Sequence, residues 1–206
     1  MNPSKLIVIT GPDGAGKSTL CKKIEAVMNE KYGENTVILT SIWDSLEVGN
    51  FDRAQIHRYL SKLTGASRTL FLFHSILNGL ALAEAKKPKV ILADGYFYKY
   101  AVSERGYGVD PAIIRSATLA FPKPDLVMEL LVSPETAWTR KISASSYEQG
   151  GGGENDQTKF IEFQKKNRKI WSETKIEYGP WDSLTEGASI DVLVEKAVAK
   201  IEKVIS

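Results

Sequence analysis

Only one of the 206 residues is a cysteine, so no disulfide can form within the chain. Cys21 falls in an expected helix, reads as a small core residue and fits a reducing compartment. No stretch carries the ~20 consecutive apolar residues that a membrane-spanning helix needs. The opening MNPSKLIVIT leads straight into an apolar strand, so neither a signal peptide nor a membrane anchor is expected, and the cytoplasm is the expected compartment. An excess of one charge is missing too: 27 basic side chains stand against 25 acidic ones, a formal net charge of +2. That balance speaks against a dedicated nucleic-acid binder, while leaving room for a local basic patch facing a phosphorylated ligand. No internal repeat is visible. What remains is a chain suited to one compact domain, 1–206, with a substantial core.

Short apolar runs alternate with longer helical patterns. Strands are expected at 5–10, 36–41, 89–94 and 125–132, with a weaker fifth at 181–185. Helices are expected at 17–31, 52–63, 67–86, 98–105, 110–120, 134–144, 157–177 and 189–204. The central runs are nearly continuous rather than alternating, as parallel strands covered on both faces require. The alternation therefore predicts a three-layer α/β fold around a five-stranded parallel sheet. One segment is of low complexity, QGGGGEND at 149–156, which reads either as a passive linker or as the tip of a mobile lid spanning about 141–158.

The chemistry is concentrated in GPDGAGKST, residues 11–19, between an apolar strand and a helix-like stretch. This is the G-x-x-x-x-G-K-[ST] phosphate loop in its expected setting. Gly11, Gly14 and Gly16 lack a Cβ and let the backbone wrap, so that the loop, Ala15 included, can turn its N–H groups toward phosphate oxygens. Lys17 can reach the terminal phosphates, Ser18 can hold Mg²⁺, and Thr19 and the helix start complete an anion site. A nucleoside triphosphate is the expected ligand. Asp94 ends the run KVILAD, where a carboxylate either holds Mg²⁺ opposite the loop or caps a turn. Asp13, inside the loop, is too close to the phosphates to be neutral and suits a contact with an acceptor hydroxyl. Arg140, with Lys141 beside it, can stabilise charge on a moving phosphoryl group, stack on a base, or stay solvated.

These residues carry a resemblance to the thymidylate kinases. The loop at 11–19 is similar to the family's G-x-[DE]-x-x-G-K-[ST]-T, and PDLVMELLVSPETAWTRK at 124–141 is similar to its P-D-L-x-x-x-L-x-V-x-P-E-x-A-x-x-R. Asp94 and Tyr96 in ADGY match two letters of the family's D-R-Y, and Phe73 in LFLF stands where the family stacks its acceptor base. The resemblance covers nearly the whole length. It implies ATP and Mg²⁺ as cofactors, a phosphate-loop kinase fold with a lid, a nucleotide acceptor, and often a homodimer. It further implies Lys17, Asp94, Arg140 and Asp13 as catalytic residues, and Asp13, Phe73, Tyr96, Lys99 and Glu104 on the acceptor.

The departures fall on the acceptor side. Gly95 replaces the D-R-Y arginine, Leu77 falls where another arginine is expected, and SIWDSLEVGN at 41–50 carries none. Lys99 and Glu104 stand where Ser and Gln are expected. Arg53, Arg58, Arg68, Lys99 and Arg105 are candidate replacements for phosphate grip. The function expected is transfer of the ATP γ-phosphoryl to thymidylate. The alternatives are a kinase of the same fold acting on an unphosphorylated acceptor, and a nucleotide-binding protein without catalysis.

Overall fold

The computed structural model describes residues 3–44, 52–153, 155–184 and 187–206. Five strands form one sheet: β1 (Lys5–Thr10), β2 (Val37–Thr40), β3 (Val90–Asp94), β4 (Leu126–Leu130) and β5 (Asp182–Leu184). Their order is β2-β3-β1-β4-β5 and every pairing is parallel. The expected α/β architecture is what forms, and the weak fifth strand is real.

Strands β1 to β4 bury both faces, which explains their unbroken apolar reading, while Ser183 of β5 is exposed. On β1, Leu6 and Val8 join one core cluster while Ile7 and Ile9 join the other. Alternate residues of a strand point to opposite sides, so a strand with two covered faces has no polar positions to spare. One cover holds α1 (Lys17–Tyr32) and, at the end of the chain, a final helix over Ile190–Ile205. The opposite cover holds α2 (Arg53–Leu60), α3 (Gly65–Glu84), α4 (Phe97–Gly106) and α5 (Pro111–Thr118).

After β4, the short α6 (Pro134–Thr139) is capped by Ser133, whose Oγ accepts from the Thr136 amide. The helix expected over 134–144 ends five residues early. A separate 3₁₀ turn follows at Ser146–Gln149, fixed by a capping box in which the Ser145 hydroxyl and the Glu148 carboxylate each meet the other's backbone. That S-x-x-E competes with helix continuation. Then α7 (Gln157–Tyr178) runs back across the molecule, and the helix over Ile190–Ile205, now α8, closes the fold. No helix among the described residues is long and apolar enough to cross a membrane.

Candidate active site

The loop after β1 leaves the middle of the sheet and turns directly into α1, whose N-cap Gly16 is left-handed at φ 93°. Gly14 (φ +77°) is required for a second reason: a Cβ there would stand 2.5 Å from the Ala137 carbonyl oxygen. The loop is thus pressed against α6. Lys17 folds back over it, its Nζ donating to the carbonyls of Gly11 at 3.0 Å and Pro12 at 2.7 Å. Burial, and then the nearby Lys99, hold its pKa down to about 8. Arg140 reaches the loop from the other end of α6, Nη1 lying 3.4 Å from the Ala15 carbonyl.

A cavity of about 690 Å³ opens in front of this loop. Asp13, Gly14, Ala15, Gly16, Lys17, Ser18 and Thr19 form its floor. Asp94 faces them from the carboxyl end of β3, where it pairs in register with Ile9. Arg140 and Lys141 form one wall, and Ala188, Ile190 and Leu193 form an apolar end.

Two ion pairs cross the cavity. Lys99 Nζ lies 2.6 Å from Asp13 Oδ1, and both side chains are largely buried. Burial opposes charge on each, but the attraction wins, so the Lys99 pKa lies above its ordinary value and that of Asp13 lies below. Lys141 Nζ lies 2.8 Å from Glu148, which ties the start of the 140–149 segment to its own 3₁₀ turn.

Two further hollows flank the first. One, about 900 Å³, is lined by Trp43, Arg58, Arg68, Tyr107, Tyr147 and Gly151–Gly153 and shares Trp43, Ser143 and Glu148 with the main cavity. The other, about 240 Å³, lies on the α7 side and shares Asp13 and Lys99. The site therefore combines a phosphate cradle, a carboxylate opposite it, and cations on three sides.

The sequence profile of the thymidylate kinases matches residues 9–178, which takes in the loop, α6 and α7. The chain belongs to the thymidylate kinase family. A thymidylate kinase of Caldicellulosiruptor saccharolyticus is 28% identical, with 98% of this chain and 95% of that one aligned. The thymidylate kinase of Desulfotalea psychrophila is 31% identical over 72% of this chain and 73% of its own. The crystal structure of thymidylate kinase from Ehrlichia chaffeensis superposes with a TM-score of 0.63 at 16% identity, covering 98% and 100% of the two chains. That likeness shows the shared fold.

Against the family pattern, the residues expected on the donor side, Lys17, Ser18, Asp94 and Arg140, line one cavity, and Asp13 and Lys99 meet there as well. Three residues expected on the acceptor do not line any of these cavities. Phe73 is 2% exposed and packs edge-on against Phe121, with Phe97 behind it, so it belongs to the core. Tyr96 is fully buried, its hydroxyl donating to the Pro122 carbonyl. Glu104 is fully buried as well and is taken up by Arg68 Nε at 2.8 Å and Thr69 Oγ1 at 3.4 Å.

Of the replacement cations, Arg68 is committed to that pair and lies over the Tyr107 ring, and Arg105 pairs with Glu173. Arg58 is exposed at the edge of the 900 Å³ hollow. Residues 45–51 and the side chain of Arg53 lie outside the described residues. The sequence reading missed Ala188, Ile190, Leu193 and Tyr147. Only Tyr147 had a local signal, inside the S-x-x-E box.

Proposed function

We propose that this chain is a thymidylate kinase: it transfers the γ-phosphoryl group of ATP to thymidine monophosphate, giving the diphosphate and ADP. The observation that carries the reading is the meeting of Lys17, Ser18, Asp94 and Arg140 at one cavity that the Asp13–Lys99 pair also lines, in a chain of this family. The loop amides and Lys17 hold the β- and γ-phosphates, and Gly11, Ala15, Gly16 and Thr19 shape the cradle. Ile190 and Leu193, with Arg140, offer a flat apolar bed for the adenine.

Ser18 and Asp94 fit a magnesium ion: both are oxygen donors lining the cavity, and neither side chain is engaged in a hydrogen bond or ion pair among the described residues. Bound there, Mg²⁺ would neutralise charge on the phosphates. The 141–158 segment acts as the lid, excluding water and bringing Lys141 to the transferring group. A phosphate oxygen of the acceptor forms the new P–O bond as the bond to the ADP oxygen breaks. The protein's share is positioning and electrostatic stabilisation. A cytoplasmic enzyme, dimeric as the family often is, goes with this reading.

ADP release with thymidine monophosphate, with thymidine and with no acceptor tests it. Turnover is expected with the monophosphate alone, and Lys17→Ala should cut it roughly 100-fold or more with the circular dichroism unchanged. Turnover only with thymidine would replace the reading with a nucleoside kinase. Tight ATP binding without acceptor-dependent turnover would overturn both.

A further inference from the structure

Four cations border the main cavity: Lys17, Lys99, Arg140 and Lys141. Lys17 and Arg140 are bonded to carbonyls of the phosphate loop itself, which commits them to the donor side. Lys141 is tied to Glu148, and the pair belongs to the segment after α6. Lys99 is placed differently. It stands in the first turn of α4, a helix packed on both α3 and α7, and it reaches across to the loop from the opposite wall. Of these four cations it alone also borders the 240 Å³ hollow behind the pair.

We infer that Lys99 binds the phosphate of the acceptor, and that Asp13 is the positioning residue that holds Lys99 there rather than a contact to the acceptor's sugar. This rests on the kinase reading above. An anionic acceptor cannot approach an anionic donor unless a cation stands on its own side of the reacting phosphorus. Arg68 and Arg105 are spent on Glu104 and Glu173, and Arg68 is further enclosed by the rings of Tyr107 and Tyr147. Lys99 carries three N–H donors. One suffices for Asp13 at 2.6 Å, leaving two for phosphate oxygens in the cavity.

Asp13 is only 6% exposed, and among the described residues Lys99 is the cation that holds its Oδ1. A buried carboxylate in that place fixes a flexible four-carbon side chain in one orientation.

Initial rates of the full-length protein test this, with thymidine monophosphate or its 3′-deoxy analogue varied at saturating ATP. Lys99→Met should raise the KM for thymidine monophosphate roughly 10- to 100-fold, the worth of one charge-assisted contact, while the KM for ATP stays within about twofold. Lys99→Arg should restore most of the loss, since it returns the charge and the donors. Asp13→Asn should raise the same KM, and combining it with Lys99→Met should cost no more than Lys99→Met alone. The wild type should accept the 3′-deoxy analogue as readily as the natural acceptor.

An unchanged acceptor KM in Lys99→Met would overturn the assignment of Lys99. A penalty from Asp13→Asn that adds to that of Lys99→Met, and that the 3′-deoxy analogue reproduces in the wild type, would return Asp13 to the sugar. A wild type inert toward thymidine monophosphate would overturn the kinase reading itself, a result distinct from either.

Discussion

Lys17 is a cation kept from water and paired with carbonyl dipoles in place of a carboxylate. Burial, and then repulsion from Lys99, bring its pKa to about 8. Triphosphate oxygens favour the protonated amine, so the direction of the pH effect follows. Below about pH 7 the amine is already charged and nucleotide affinity is flat; above about 8 each pH unit costs up to roughly tenfold in affinity, because binding must first recruit a proton. Calorimetry of ATP binding between pH 6.5 and 9.5, in buffers of different ionisation enthalpy, should show proton uptake centred near pH 8. Flat affinity to pH 9.5 would mean Lys17 does not titrate there. Residues of the loop were legible in the sequence because their geometry is local, nine consecutive positions from Gly11 to Thr19. Phe73, Tyr96 and Glu104 were not, because motif spacing does not say whether a side chain faces a cleft or the core. In LFLF, Phe71 and Phe73 look alike, yet Phe71 meets Tyr59 edge-on at 5.3 Å while Phe73 joins the buried aromatic cluster.

At the scale of the element, the glycine-rich segment is far from structureless. Gln149 is buried and donates to the Gly152 carbonyl while accepting from the Asp156 amide, and Asn155 bonds with Ala144 in both directions. Gly150 (φ +83°) lies so close to α7 that a Cβ would stand 2.8 Å from the Phe163 ring. Tyr147 fastens the turn to the core. Its ring stacks on Tyr107 at 5.6 Å, and the Tyr107 hydroxyl donates to the Tyr147 carbonyl at 2.7 Å. Its own hydroxyl is buried beside the Glu104 carboxylate, and burial, then that negative charge, pushes its pKa well up. Tyr147→Ala should raise the rate of proteolysis within 150–153 roughly tenfold, the equivalent of one lost aromatic contact, and saturating ATP with acceptor should reduce it again. Equal cleavage rates in the two proteins would show that Tyr147 does not hold the segment. The sequence marks the four glycines but hides the clamp, because Gln149, Asn155 and Tyr107 become neighbours only after the chain has folded.

Across the whole molecule, α7 joins the segment that borders the site to strand β4. Its 22 residues span about 33 Å at the helical rise. Near one end Gln164 donates to the Glu148 carbonyl; toward the other, Trp171 and Lys175 both donate to Glu129, a carboxylate 1% exposed on β4. Glu129→Ala should lower the unfolding free energy by about 2 kcal/mol, since the buried indole N–H loses its acceptor while Lys175 can turn to water. Urea denaturation gives this number, and a midpoint equal to wild type would show that α7 is held by apolar packing alone. Strands β1 to β4 were legible because the sheet buries both their faces, whereas the Glu129 anchor joins residues more than 40 positions apart and left no local trace.

The strand order also sets how freely the two halves of such an enzyme can diverge. The donor loop grows from β1, flanked on both sides, so its surroundings are fixed by β3 and β4 together. The chain between β2 and α3 leaves from an edge strand with one neighbour only. A lineage can therefore retool which molecule it accepts by rewriting a border of the sheet while the phosphate cradle at its centre passes on intact. The GPDGAGKST loop and the arginine-free stretch at 41–50 fall on opposite sides of that asymmetry.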